Sequence, residues 1–210
     1  RDGPDPLSFG AVYWPWLKRG EEVLPPSGPM MGLFARVERE HAPFGIAWPP
    51  ANVLLAGVTH TEVELTWDEA GALAESGVNP ILVQTGRGVV VWGARTLSTD
   101  PAHIHINTRR VIGLIKEQLR RDNEWAVFEV NDPSLWKVIE RNVLGRLDQF
   151  YEAGLIAGPR SRAEYSVLCD QATNPAVRRD RGELNVAIRL RPVGTIEHVH
   201  IDLQLGGEHG

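Results

Sequence analysis

The chain has 210 residues and a mass of 23.3 kDa, which suits one large or two small domains. Hydrophobic residues make up 42%, enough for a normal globular core, and a formal charge of −5 argues against a general nucleic-acid binder. The single cysteine, Cys169, excludes a disulfide-stapled secreted domain, and the apolar runs fall far short of the ~20 residues that span a bilayer. The opening RDGPDPLSFG has neither the apolar core of a signal peptide nor an initiator Met, so the chain reads as processed or cut from something longer.

Phe9–Leu17 (FGAVYWPWL) reads as an aromatic strand, with Pro15 placing it at an edge or a strand end. Lys18–Pro26 reads as a loop. A helix then follows Ser27 and carries Leu33, Phe34 and Val37 to about Glu40. Residues 42–61 hold three prolines and no clear period, which predicts a long irregular excursion. Thr66 and Glu69 form a capping box that opens a short helix ending near Gly77. Asn79–Thr85 and Val89–Ala94 flank Gly86-Arg87-Gly88 in the pattern of a β-hairpin.

Residues 107–138 are the most informative stretch. Val111, Ile112, Ile115 and Leu119 define the apolar face of a helix that Asn107 or Thr108 caps. Trp125–Val130 (WAVFEV) reads as an interior strand, and Asn131-Asp132-Pro133 stops it and caps the next helix. That helix runs to about Ala153, with Gly154 as its C′ residue. Tyr165–Asp170 is another strand. Two long alternating strands close the chain: Glu183–Pro192 sets Leu184, Val186, Ile188 and Leu190 on one face, and Thr195–Leu205 follows after a joint at Val193-Gly194. This order predicts an α/β (mixed α+β) fold, a mixed β-sheet flanked by helices on both faces with an extended C-terminal strand.

Catalytic signatures are sparse. The chain contains no phosphate-binding loop or nucleophile elbow, and Gly86-Arg87-Gly88 lacks the third glycine and following helix of a dinucleotide fingerprint. His103/His105 and His198/His200 are two H-x-H pairs that a strand would aim to one side, yet no third zinc ligand stands at a suitable spacing. Cys169 sits among apolar residues and reads as a buried thiol. Two basic stripes stand out, Arg109, Lys116 and Arg120 on one helix and Lys137 and Arg141 on the next. They read either as solvated faces or as docking onto an acidic protein surface.

WAVFEVNDPSLW closely resembles the WAVFE-x-ND-x-x-LW block of the phage tail sheath family. Other blocks agree in order: AVYWPWL, PPSGPMMGLFARVER, GVNPILVQTGRGVVVWGARTLSTDP and the closing TNPAVRRDRGELNVAIRLRPVGTIEHVHIDLQ segment, so the similarity covers about residues 11–205. VGTIEHVHI replaces the family's PAEF core in the last block, and the apolar 42–61 loop stands where relatives often carry an Asn-rich segment. Relatives carry several hundred residues upstream, so the chain resembles the family's C-terminal sheath domain. The expected division is a core over 1–194 and a strand or arm over 195–210 that pairs between subunits.

The resemblance implies a structural protein and not an enzyme, without cofactor or metal. Such subunits polymerise around an inner tube and contract to drive it through a target envelope. The implied partners are other sheath subunits, the tube protein and a baseplate, with no nucleic acid and no membrane insertion. The implied setting is a phage tail or contractile particle assembled in the bacterial cytoplasm. Thr195, Ile196, Val199, Ile201 and Leu203 are the expected subunit contacts. Lys137 and Arg141, with Arg109, Lys116 or Arg120, are the expected tube contacts. A metal-dependent α/β enzyme using the H-x-H pairs, or a baseplate or terminator component of the same fold, are the alternatives.

Overall fold

The computed structural model describes residues 5–158 and 165–194, and the backbone of 199–205. The chain divides into two compact units, Arg1–Arg110 and Val111–Gly210. The first holds β1 (Val12–Trp14), β2 (Leu17–Arg19), β3 (Glu22–Leu24), α1 (Ser27–Glu40), β4 (Val53–Leu54), β5 (His60–Thr61), α2 (Trp67–Glu75), β6 (Val78–Gln84) and β7 (Gly88–Val91). α3 (Ile106–Asp122) spans the division. The second unit continues with α4 (Pro133–Glu152), β8 (Tyr165–Leu168), α5 (Ala176–Arg179), β9 (Leu184–Leu190) and β10 (Val199–Leu205).

In the first unit, β6 and β7 form the expected hairpin, Gln84 facing Gly88 across the turn. β4 extends the sheet beyond β7, and β1 joins β6 in parallel from Val12↔Val78. β2 lies between β3 and β5 in a separate antiparallel sheet. Helix α1 turns Met30, Leu33 and Val37 inward onto Leu17, Leu55, Ile81, Val89 and Val91, the i, i+3, i+7 spacing of one helical face. The Thr66–Glu69 capping box opens α2: the Thr66 hydroxyl accepts from the Glu69 N–H, and the Glu69 carboxylate accepts from the Thr66 N–H at 2.9 Å.

Asn79 holds this unit together. It is buried, and its Nδ2 donates to the carbonyls of Val12 at 3.0 Å and Arg95 at 2.8 Å. Its Oδ1 accepts from the Arg95 N–H at 2.6 Å. Gly93 permits the close approach. A Cβ there would lie 2.6 Å from Asn79 Oδ1, which no side chain tolerates.

In the second unit, Asp132 Oδ1 accepts from the N–H groups of Ser134 and Leu135, both at 2.9 Å, and so opens α4 as the sequence predicts. Leu135, Trp136, Ile139, Val143, Leu147 and Phe150 form its buried stripe, and the helix packs on β8. Gly154 takes φ +75° just past its end. Leu184, Val186, Ile188 and Leu190 of β9 are all buried. The β9–β10 register sets Leu190, Ile188, Val186 and Leu184 opposite Val199, Ile201, Leu203 and Leu205. On the other side, β8 reaches only as far as Leu168↔Ala187. Past that point, the buried side chain of Asn174 takes over from a strand. Its Nδ2 donates to the Asn185 carbonyl at 3.0 Å, and its Oδ1 accepts from the Asn185 N–H at 2.7 Å. Asn131 Nδ2 then donates to the Glu183 carbonyl at 2.9 Å.

The mixed α/β class holds, but the strands are shared among three sheets rather than one. The predicted strand at 125–130 is absent. A 3-10 turn at Glu124–Ala126 follows α3, Phe128 takes φ +79°, and the run joins no ladder. Its apolar pattern was real, but a strand also needs a neighbour to satisfy its backbone. The aromatic strand at 9–17 is two, β1 and β2, because Pro15 interrupts it. The loop expected at 18–26 contains β3, paired to β2 around Gly20 at φ +62°. α3 begins at Ile106, so Asn107 and Thr108 are buried helical residues rather than caps. Residues 195–198 of the expected final strand lie outside the described residues.

Asn174→Ala leaves the N–H and carbonyl of Asn185 without their partner. Loss of the two buried bonds should cost about 2–4 kcal/mol, read as a lower urea midpoint with an unchanged slope.

Candidate functional site

The two basic stripes differ once their surroundings are known. Arg109 is half-buried: its guanidinium lies 4.0 Å from the Phe9 ring centroid, and its Nε donates to Ser8 Oγ at 3.1 Å. Arg120 sits between carboxylates, with Glu124 at 2.6 Å and Glu117 at 3.2 Å, and Arg121 shares Glu117 at 2.7 Å. Hydrogen bonds from Arg120 and Arg121 hold the Glu117 carboxyl below its ordinary range. Lys116, Lys137 and Arg141 are exposed, without an ion pair among the described residues. Lys137 and Arg141 stand one turn apart on α4, away from its buried stripe. The spacing of the first stripe thus predicted a common side for three residues, of which Lys116 alone is left uncommitted.

The expected subunit contacts divide as well. Val199, Ile201 and Leu203 lie on β10, which pairs with β9 of its own chain and forms the edge of that sheet among the described residues. Thr195 and Ile196 lie outside the described residues. Sequence reasoning missed Asn79, Asn131 and Asn174 as structural braces. For Asn79 the signal was present, since a carboxamide set among apolar residues needs buried partners, whereas Asn131 and Asn174 lie in polar stretches that carry no such signal.

The remaining candidates have structural explanations. Burial, with Glu140 and Asp170 nearby, pushes the Cys169 thiol up to about 12, the opposite of an activated nucleophile. His103 Nδ1 lies 3.1 Å from Asp100 Oδ2. Among the described residues no cluster of three or more His, Cys, Asp or Glu could hold a metal.

α4 thus presents Lys137 and Arg141 to solvent, and β10 forms a seven-residue edge of its sheet among the described residues. Residues 8–97 match the model of the phage tail sheath protein central domain, and residues 98–206 that of the phage tail sheath C-terminal domain. The chain belongs to the phage tail sheath family, a family of structural sheath proteins. The tail sheath protein of Vibrio phage KVP40 is 25% identical over 183 residues, covering 85% of this chain and 26% of that protein. A chain of the anti-feeding prophage baseplate superposes with a TM-score of 0.81 at 27% identity, covering 90% of this chain and 52% of that one. A chain of the sheath complex of an extracellular contractile injection system, PVC, in its contracted state gives 0.78 at 27% identity, covering 90% and 53%. The chain thus spans about half of these solved chains and a quarter of the curated relative.

His105 supplies a pH test of the first unit. Burial, then the Arg95 guanidinium, lowers its pKa below the usual histidine value. The folded state therefore prefers neutral His105, and the unfolded chain binds the proton more readily. Stability should fall as pH drops below about 6.5 towards the depressed folded value. His105→Gln should flatten that part of the curve, measured by urea unfolding from pH 8 to 5 beside the wild type.

Proposed function

We propose that the chain is part of a contractile tail sheath subunit, which polymerises around an inner tube and drives it through a target envelope. The observation that carries this reading is the match to both sheath domains over 8–206, joined to a TM-score of 0.78 with a sheath complex in its contracted state. The work of contraction would come from two packings of the same subunits, without nucleotide hydrolysis. Other sheath subunits, a tube protein and a baseplate are its partners. It acts within a phage tail or related particle assembled in the bacterial cytoplasm.

The exposed pair Lys137 and Arg141, with Lys116, contacts an acidic tube surface in this reading. The outer edge of β10 takes an extended strand from a neighbouring subunit, carried by Val199, Ile201 and Leu203 and by the segment from Thr195 and Ile196. An edge strand exposes a row of backbone donors and acceptors suited to that pairing. Residues 195–210 would then serve as the joining arm of a core over 1–194. A baseplate component of the same fold is the second reading, favoured by the superposition on a baseplate chain.

Co-expression with the cognate tube protein, followed by electron microscopy, tests the reading. The wild type should form striated polymers along tubes. Lys137→Glu with Arg141→Glu should weaken decoration by about tenfold or more at low salt, since reversal turns attraction into repulsion, with an unchanged circular dichroism spectrum. Equal decoration rejects α4 as the tube contact. Wild-type protein that caps tube ends without polymerising favours the baseplate reading.

A further inference from the structure

The run 125–130 failed as an interior strand, and its exposure gives it another use. Trp125 is 45% exposed, Val127 39%, Phe128 103% and Val130 75%. Single exposed apolar residues are ordinary, but four within six positions form a patch. The run is also fixed at both ends. Before it, the fully buried Asn123 donates from Nδ2 to the Leu119 carbonyl at 2.8 Å, and the Ala126 N–H donates to the Asn123 carbonyl at 3.1 Å. After it, Asn131 donates to Glu183 and accepts from Trp136 Nε1 at 2.7 Å, and Asp132 caps α4. Between these anchors Phe128 adopts φ +79°, a conformation that a bulky L residue occupies only at a cost. The backbone holds the ring outward.

We infer that residues 125–130 are a contact between subunits, with Phe128 as the side chain that a second copy of this chain buries. The choice of occupant rests on the sheath reading above. In a helical polymer each copy repeats the same head-to-tail contact, so an apolar run open on one copy is covered by the next. Position agrees with this. Asn131 is tied to Glu183, the residue before Leu184, and Leu184 faces Leu205 at the end of β10. The run therefore lies beside the end of β9 at which β10 also ends, with β9 between the two. The composition is rich in β-branched and aromatic residues, and the chain's own fold gives them no ladder.

Phe128→Gly separates this role from support of the chain's own fold. Glycine is at ease at positive φ, so the variant monomer should keep or raise its melting temperature. Its self-association, measured by sedimentation equilibrium, should weaken about tenfold to a hundredfold, as expected when one buried aromatic side chain is lost. Phe128→Leu should retain most of it. Equal association of the glycine variant and the wild type overturns the inference, as does a lowered melting temperature or a wild type that stays monomeric at its highest soluble concentration. Tube decoration judges the sheath reading separately. If the glycine variant decorates tubes as well as the wild type does, the contact fails and the sheath reading stands. If the wild type associates through Phe128 yet never decorates tubes, the contact stands and the sheath reading fails.

Discussion

Both units depend on carboxamide side chains that stand in for a missing strand. Asn174 offers Asn185 one donor and one acceptor, as a paired residue would, and Asn79 does the same for Arg95 while reaching Val12. Each backbone group so paired would otherwise carry a desolvation cost of about 1–3 kcal/mol. Leucine would offer neither group, and an ionised aspartate would offer acceptors alone. The requirement reaches other residues. Gly93 must lack a side chain because Asn79 needs its space. β8 ends at Leu168 because Asn174 occupies the next place along β9.

The legible part of the fold was the part set by local chemistry. Asp132-Pro133 announced α4, Thr66 and Glu69 announced α2, and the alternation of 184–190 identified a strand with one buried face. Each depends on neighbours within a few residues. Trp125–Val130 was misread because alternation records which side chains are apolar, not whether a ladder exists to receive them. The stripe of Arg109, Lys116 and Arg120 shows the same limit. Helical spacing groups the three, whereas Ser8, 101 positions from Arg109, separates its role from theirs. The motif blocks that carry the family resemblance include the braces, Asn79 in GVNPILV, Gly93 and Arg95 in VWGARTL, Asn131 in the ND pair and Asn174 in TNP.

A contractile sheath subunit of the kind proposed above has two needs that pull apart. Its interior has to keep its pairing while its surface exchanges partners. In this chain the closed ladders and buried amides serve the first need. Among the described residues, Lys116, Lys137 and Arg141 stand exposed without an ion pair and β10 forms the edge of its sheet, and the proposed reading assigns the second need to them. Charges already paired and exposed, such as Arg120 with Glu117 and Glu124, are partly neutralised by their own neighbours and add little to such a surface.

The topology of the four-stranded sheet also orders how it comes apart. β6 and β7 are joined by a tight local turn, whereas β1 reaches β6 from 67 positions away, as measured from Val12 to Asn79. Closing the longer loop costs more chain entropy, and only three residue pairs oppose that cost. Asn79 keeps its bonds to Arg95 even when Val12 departs. β1 is therefore released by sub-global opening more easily than the β6–β7 hairpin, and its amide hydrogens should exchange with solvent first.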